Sequence, residues 1–216
     1  MDTTTQKPKS KTYRIIRKAI ICLLTFVVLA TAFVYWYDNA GQQPDVKFDV
    51  SIKTPTFITE HPKLLFDVAH NNYHTPSGRY QPLSNLLQND GYSITENTSP
   101  FVASSLDSFQ VLIIANAMGP DGHDGRDAFT ILEDSVVVQW VRNGGSLLLI
   151  ADHVPFGSAA SKLSECFGVE MNLRFARDDK NHAGWDNERL LFSPENGLLA
   201  DCPIQKDETL LKIFVA

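Results

Sequence analysis

The sequence lacks the short motifs that identify most nucleotide-dependent and metal-dependent enzymes. It contains no GxGxxG fingerprint and no Walker motif, so nothing in it indicates nucleotide binding. The HxxEH, HExxH and HxH spacings are also absent, and we predict neither a metal ion nor another cofactor. Basic residues are unevenly placed: six of the 19 Lys and Arg residues precede Ala19, with only one of the 25 acidic residues. The rest of the chain is therefore acidic, which argues against a nucleic-acid partner.

Cysteine is also rare, with three residues at Cys22, Cys166 and Cys202. Cys22 lies inside a long apolar run. Cys166 and Cys202 could form a disulfide in an oxidising compartment, and two buried free thiols are the alternative. The spacing of the two residues does not decide between these states.

One long stretch carries no charge. Residues 19–37 (AIICLLTFVVLATAFVYWY) would span about 28 Å as a helix, close to the bilayer core of about 30 Å. A basic tail over residues 1–18 precedes it, so the positive-inside rule predicts a cytoplasmic N-terminus. We expect a single-pass membrane protein whose C-terminal domain lies outside, in the periplasm or extracellular space. A cleaved signal peptide is the main alternative, because Ala30-Thr31-Ala32 resembles a cleavage site. A buried helix of a soluble protein is a third interpretation.

After a linker over residues 38–60, with an edge strand expected at 46–52, strand and helix patterns alternate along a domain at 61–216. Such alternation predicts an α/β fold with a mostly parallel sheet. Strands are predicted at 63–69, 92–96, 111–115, in the apolar run before Asp152, and at 169–173, 190–192 and 210–215. Helices are predicted at 82–89, 126–143 and 158–167. The sequence stops inside an apolar run, so we expect C-terminal truncation relative to relatives, with a terminal edge strand as the alternative.

Polar side chains follow three of these strands. In a parallel sheet the carboxyl ends meet at one edge, where open α/β sheets bind ligands. The candidate catalytic residues are Asp152, His153 and His70, and the candidate ligand-binding residues are Asn72, Asn116 and His74. Five of the six also have a structural interpretation. His70 and Asn72 suit a turn, Asp152 suits a helix N-cap, His153 could bond a carbonyl across its loop, and His74 suits a solvated loop.

Three segments resemble a known family: LLFDVAHNNYHTPSGRYQPLSNLLQNDGY, VLIIANAMGP and VVQWVRNGGSLLLIADHVPFGSAASKLSECFGVEM. They are similar to class I glutamine-amidotransferase-like proteins of the domain of unknown function 4350 type, over residues 63–175. The resemblance implies a flavodoxin-like three-layer sandwich. True amidotransferases carry a nucleophilic Cys in a G-x-C-x-G turn after a central strand. Here the comparable strand ends in Ala151-Asp152-His153, so glutamine hydrolysis by a thiolate is not expected.

Together these features predict a membrane-anchored, exported amidotransferase-like domain of the bacterial envelope. It would bind a small ligand, such as a carbohydrate or a cell-envelope component, without glutaminase activity. One alternative is a hydrolase in which Asp152 or His153 activates water, with help from His70. Another is a non-catalytic scaffold for membrane partners of unknown identity.

Overall fold

The computed structural model describes residues 11–40, 43–120, 122, 126–171, 174, 176–185, 187–199 and 213–215. By internal contacts the chain divides into two units, Met1–Gln43 and Pro44–Ala216.

The first unit contains one helix, α1 (Lys11–Ala40), which is 30 residues long. It begins within the predicted basic tail, since neither Gly nor Pro interrupts residues 11–40. Its apolar side chains are open, with Leu23 63% and Phe26 69% exposed. By length and composition, Lys11–Trp36 can cross a membrane, as expected of a single-pass protein. A signal sequence has the same properties.

The second unit is built on a parallel sheet of four strands in the order β2-β1-β3-β4. The strands are β1 (Lys63–Asp67), β2 (Ser93–Asn97), β3 (Val111–Ala115) and β4 (Ser146–Ile150). All three strand pairs are parallel. This confirms the predicted α/β class with a mostly parallel sheet. A separate antiparallel pair joins β5 (Leu190–Phe192) to β6 (Ile213–Val215).

Helices follow most of the parallel strands. They are α2 (Gln81–Asn89), α3 (Ala103–Leu106), α4 (Ile131–Arg142), α5 (Phe156–Ala159) and α6 (Ser161–Glu165). The predicted helix at 158–167 is therefore two short helices.

The two central strands, β1 and β3, are mostly apolar because both of their faces are covered, whereas the edge strand β2 is largely polar and exposed. On one face, Leu112 and Ile114 pack in a cluster with Leu106, Val137 and Trp140. On the other face, a second cluster packs against Tyr80, which precedes α2, and against Leu87, which lies in α2. The members of that second cluster are Leu64, Phe66, Ile113 and Ala115.

The longest helix of this unit, α4, begins five residues later than predicted because Thr130 caps it. The Thr130 hydroxyl accepts a hydrogen bond from the Glu133 amide, and the Glu133 carboxylate accepts one from the Thr130 amide. This reciprocal pair is a capping box. The helix ends at Arg142, and Gly144 follows with a φ of +103°, which ordinary side chains rarely adopt.

One strand prediction fails, and a second fails over the residues that the structure describes. No strand forms at 46–52, because Asp45 and Asp49 accept hydrogen bonds from the amides of Lys47 and Ser51 in local turns. Residues 169–171 are irregular, and residues 172 and 173 lie outside the described residues. Residues 210–212 and Cys202 also lie outside the described residues. Cys22 and Cys166 are free thiols, and both are exposed rather than buried.

Candidate functional site

The loops that follow β1, β3 and β4 lie side by side at the carboxyl edge of the sheet. The amide of Tyr73 donates to the carbonyl of Asn116 at 2.9 Å, and the amide of Met118 donates to that of His70 at 2.9 Å. The amide of Asn116 in turn donates to the carbonyl of Ile150 at 2.9 Å. The expected convergence of these loops is therefore present, and the side chains form two groups.

The first group holds His70 between two carboxylates. Nδ1 of His70 lies 2.8 Å from Oδ2 of Asp67, and Nε2 lies 2.9 Å from Oε1 of Glu133. Asp67 is fully buried, and the side-chain amide of Asn97 donates to its other carboxylate oxygen at 2.9 Å. The His70 ring also packs against Phe101 and Phe129, with centroids 4.9 and 4.7 Å away. We call Asp67, His70 and Glu133 the histidine clip.

His70 in the clip is an imidazolium. Burial alone lowers the pKa of His70, but the hydrogen bonds and charges of Asp67 and Glu133 outweigh it, so the pKa is raised. The geometry gives the same answer, because a ring that faces carboxylate oxygens with both nitrogens must donate from both. An imidazolium with both protons engaged has no lone pair to take a proton from water. The clip therefore ties β1 to the start of α4.

Glu133 was not predicted as part of this edge. Its oxygens accept from the amides of Phe101 and Thr130 at 3.0 and 2.9 Å, besides the bond from His70. Burial opposes its ionisation, but these hydrogen bonds outweigh that effect and lower the pKa of Glu133. The Thr130-x-x-Glu133 spacing was a usable sequence signal for a capping residue, although it does not reveal the contact with His70.

The second group centres on Asn116 and Asp152. Asn116 is 1% exposed and has a φ of +50°, a conformation that Asn tolerates better than most residues. Its amide nitrogen donates to Oδ2 of Asp152 at 3.0 Å, and its oxygen accepts from the Asp152 backbone amide at 3.2 Å. The other carboxylate oxygen, Oδ1 of Asp152, is buried and has no partner among the described residues.

His74 belongs to the same group through charge. It is 4% exposed and stacks on Tyr80, with ring centroids 4.3 Å apart. Burial, aided by the charge of Arg79, lowers the pKa of His74 against the opposing effect of Asp152. Burial and the charge of Asp152 raise the pKa of Tyr80. His74 is therefore neutral at pH 7, and its buried Nδ1 has no partner in the described part of the chain.

The two remaining candidates contribute in different ways. Asn72 accepts a hydrogen bond from the amide of His70 at 3.1 Å, and its own buried Nδ2 meets no partner among described atoms. His153 uses Nδ1 to bond the carbonyl of Val154 at 2.6 Å, and its ring packs against Phe156. The contact is to the carbonyl of the next residue and not, as the structural interpretation had it, to one across the loop.

The edge site is defined here as Asn72, His74, Tyr80, Asn116 and Asp152. Tyr80 was not predicted as a site residue, since it directly precedes α2 and belongs to no recognisable motif. Within the residues that the structure describes, no group of three or more His, Cys, Asp or Glu side chains could hold a metal ion. The described part of this edge thus combines amide, imidazole and carboxylate groups that are suited to hydrogen bonding.

Comparison with known proteins adds little to this geometry. No protein-family model matches the chain, and no curated protein matches it. Among solved structures, it is similar to one described as "mmIFT52 N-terminal domain", with 16% identity and a TM-score of 0.49. That match covers 60% of this chain and 54% of the other, so the chain spans about half the length of its structural neighbour.

Proposed function

We propose that this chain is a membrane-anchored protein whose α/β domain binds a small ligand at the edge site. The observation that carries the proposal is a set of three buried polar atoms that have no partner among the described residues: Nδ2 of Asn72, Nδ1 of His74 and Oδ1 of Asp152. Leaving a buried polar group unsatisfied costs about 1–3 kcal/mol, so such groups call for an explanation. A bound ligand that supplies the missing partners would recover this energy.

The topology supports the same location. The order β2-β1-β3-β4 matches the first four strands of a flavodoxin-like sheet. After β2 is added on one side of β1, β3 and β4 are added on the other side, so the strand order reverses between β1 and β3. Ligands of such folds bind beyond the strand ends at this switch point. On this basis we infer a flavodoxin-like domain, and from the resemblance of residues 63–175 we infer that it is amidotransferase-like. We also infer that it lacks glutaminase activity, since Ala151-Asp152-His153 stands where a nucleophilic Cys would be required.

The hydrolase alternative gains no support from the geometry. It needs His70 to assist Asp152 or His153, but both ring nitrogens of His70 bond to Asp67 and Glu133. The scaffold alternative stays a prediction, because no described contact indicates a partner.

A ligand screen tests the proposal. The melting temperature of the full-length protein in detergent micelles would be measured in the presence of neutral sugars, sugar acids, amino sugars and amino acids. We expect at least one compound to raise the melting temperature of the wild type and not that of Asp152→Ala. The control, Glu96→Ala, removes an exposed carboxylate from β2 and should respond like the wild type. No stabilisation by any compound, or equal stabilisation of Asp152→Ala, would refute binding at this site.

We further propose that the N-terminus lies in the cytoplasm and the α/β domain outside, as the basic residues before Ala19 favour. Cys166 offers a test because its thiol is free and exposed. In intact cells that produce a Cys202→Ala variant, a membrane-impermeant maleimide should label Cys166. Labelling that requires permeabilised cells would place the domain inside.

A further inference from the structure

We infer that the edge site binds a neutral carbohydrate through two neighbouring hydroxyl groups, an inference that rests on the proposed function. The argument uses three side chains of the site, namely Asn72, His74 and Asp152, and the polarity of their unpaired atoms.

Asp152 requires a ligand that donates a hydrogen bond. Its Oδ2 is occupied by the Asn116 amide at 3.0 Å, so only the buried Oδ1 is left to face a ligand. A carboxylate oxygen can only accept. No described cation contacts this carboxylate, so its negative charge is uncompensated by an ion pair in the residues that the structure shows. An anionic ligand would be repelled, and phosphate or carboxylate groups are therefore excluded as the part that meets Asp152.

Asn72 sets the opposite requirement. Its Oδ1 is already bonded to the amide of His70, so the free Nδ2 atom can only donate and needs an acceptor on the ligand. An ammonium group, which Asp152 would attract, has no acceptor and leaves Asn72 unsatisfied. A ligand that serves both residues must carry a donor and an acceptor close together.

His74 favours hydroxyl groups in particular. Its neutral ring can accept or donate at Nδ1, depending on the tautomer. A hydroxyl group matches this property, because it donates one hydrogen bond and accepts others. Two adjacent hydroxyls of a sugar can donate to Asp152, accept from Asn72 and exchange a bond with His74. Because the His74 ring is neutral, it adds no further charge beside the bound sugar.

Calorimetric titration of the full-length protein, in a detergent without sugar head groups, tests the ligand class. The neutral probes are D-glucose, D-galactose, D-mannose and N-acetyl-D-glucosamine, and the charged probes are D-glucuronate, glucose 6-phosphate and ethanolamine. We expect one or more neutral sugars to bind, and the deoxy form that lacks a contacting hydroxyl to bind about tenfold or more weakly.

The variant Asp152→Asn sharpens the test. Since the amide of Asn116 requires an acceptor, the new side chain must keep its oxygen there and turn its NH₂ toward the ligand. The ligand-facing acceptor thus becomes a donor, and we expect at least a tenfold loss of sugar affinity. Asn72→Ala, on another loop, should show a similar loss, whereas Glu96→Gln should bind like the wild type. Thermal melts without ligand establish that each variant is folded.

The outcomes separate the two claims. Binding of a charged probe but of no neutral sugar, lost in Asp152→Asn, would overturn the carbohydrate inference and keep the proposed site. Sugar binding that is unchanged in both Asp152→Asn and Asn72→Ala would overturn the assignment to these residues. If no probe binds here and no compound of the melting panel stabilises the protein, the proposed function fails with the inference.

Discussion

Asn116 and Asp152 are joined by two hydrogen bonds of opposite direction. The Asn116 amide donates to the Asp152 carboxylate at 3.0 Å, and the Asp152 backbone amide donates to the Asn116 oxygen at 3.2 Å. Because Asn116 is almost fully buried at the end of β3, this pair fixes the start of the loop after β4. One carboxylate oxygen is thereby held in place, while the other has no partner among the described residues.

The variant Asn116→Asp should make stability depend on pH. Asp also tolerates the positive φ of this position, but its carboxylate would lie about 3 Å from that of Asp152 and raise the pKa of the pair. A carboxyl pKa raised in the folded state means that stability falls as pH rises from the unfolded value, about 4, to the raised value. We expect a melting temperature well below that of the wild type at pH 8 and closer to it at pH 5.

The control for this prediction is Asn85→Asp, which introduces the same charge at an exposed position of α2. It should leave the difference between pH 5 and pH 8 as in the wild type. An Asn116→Asp variant with the stability of the wild type at both pH values would show that the pair does not form as described.

The histidine clip predicts a second pH dependence, which arises from a base and not from a carboxylic acid. The pKa of His70 is raised in the fold, so its contribution to stability is fully present below about pH 6.5 and is lost as pH rises through the raised value. His70→Gln cannot neutralise two buried carboxylates and should cost about 3–5 kcal/mol at pH 6. The cost should shrink at pH 9. Urea unfolding at both pH values measures it.

His61→Gln serves as the matched variant, because His61 is exposed and makes one described hydrogen bond, to the carbonyl of Gly91. It should change the free energy of unfolding by less than about 1 kcal/mol at either pH. A cost of His70→Gln that is equal at pH 6 and pH 9 would contradict a protonated clip.

Gly145 tests the packing beneath β4. A Cβ atom at this position would lie 2.3 Å from Cε2 of Trp140, a residue that is 9% exposed. We expect Gly145→Ala to lower the free energy of unfolding by about 1–3 kcal/mol. Ser135→Ala, at an exposed position of α4, should have almost no effect. Equal stability of Gly145→Ala and the wild type would mean that Trp140 can shift.

The parallel sheet was predictable from the sequence because its signals are local. Continuous apolar runs such as Val111–Ala115 indicate strands covered on both faces, and the Gly residues after α4 mark where that helix stops. The edge strand at 46–52 was wrong for an equally local reason. Asp45 and Asp49 offer the backbone turn contacts that compete with a sheet.

The site was only partly predictable, because its side-chain pairing depends on contacts between distant residues. Asn116, His74 and Asp152 were expected at one edge from the strand ends alone. The separation of His70 into a clip depends on Glu133, which is 63 residues away in the chain. Neither motif nor spacing reveals which of two nearby histidines is locked by carboxylates and which keeps an unpaired nitrogen.

The most direct measurement is the ¹⁵N chemical shift of the His74 ring in the full-length protein during titration with the neutral sugar that binds best. The His74 signals are assigned by their loss in His74→Gln. We predict that Nδ1 of His74 shifts saturably in the wild type and not in Asp152→Asn, while both ring nitrogens of His70 stay unchanged. Saturable sugar binding without a shift at His74, or with the shift at His70 instead, would contradict a ligand at the edge site.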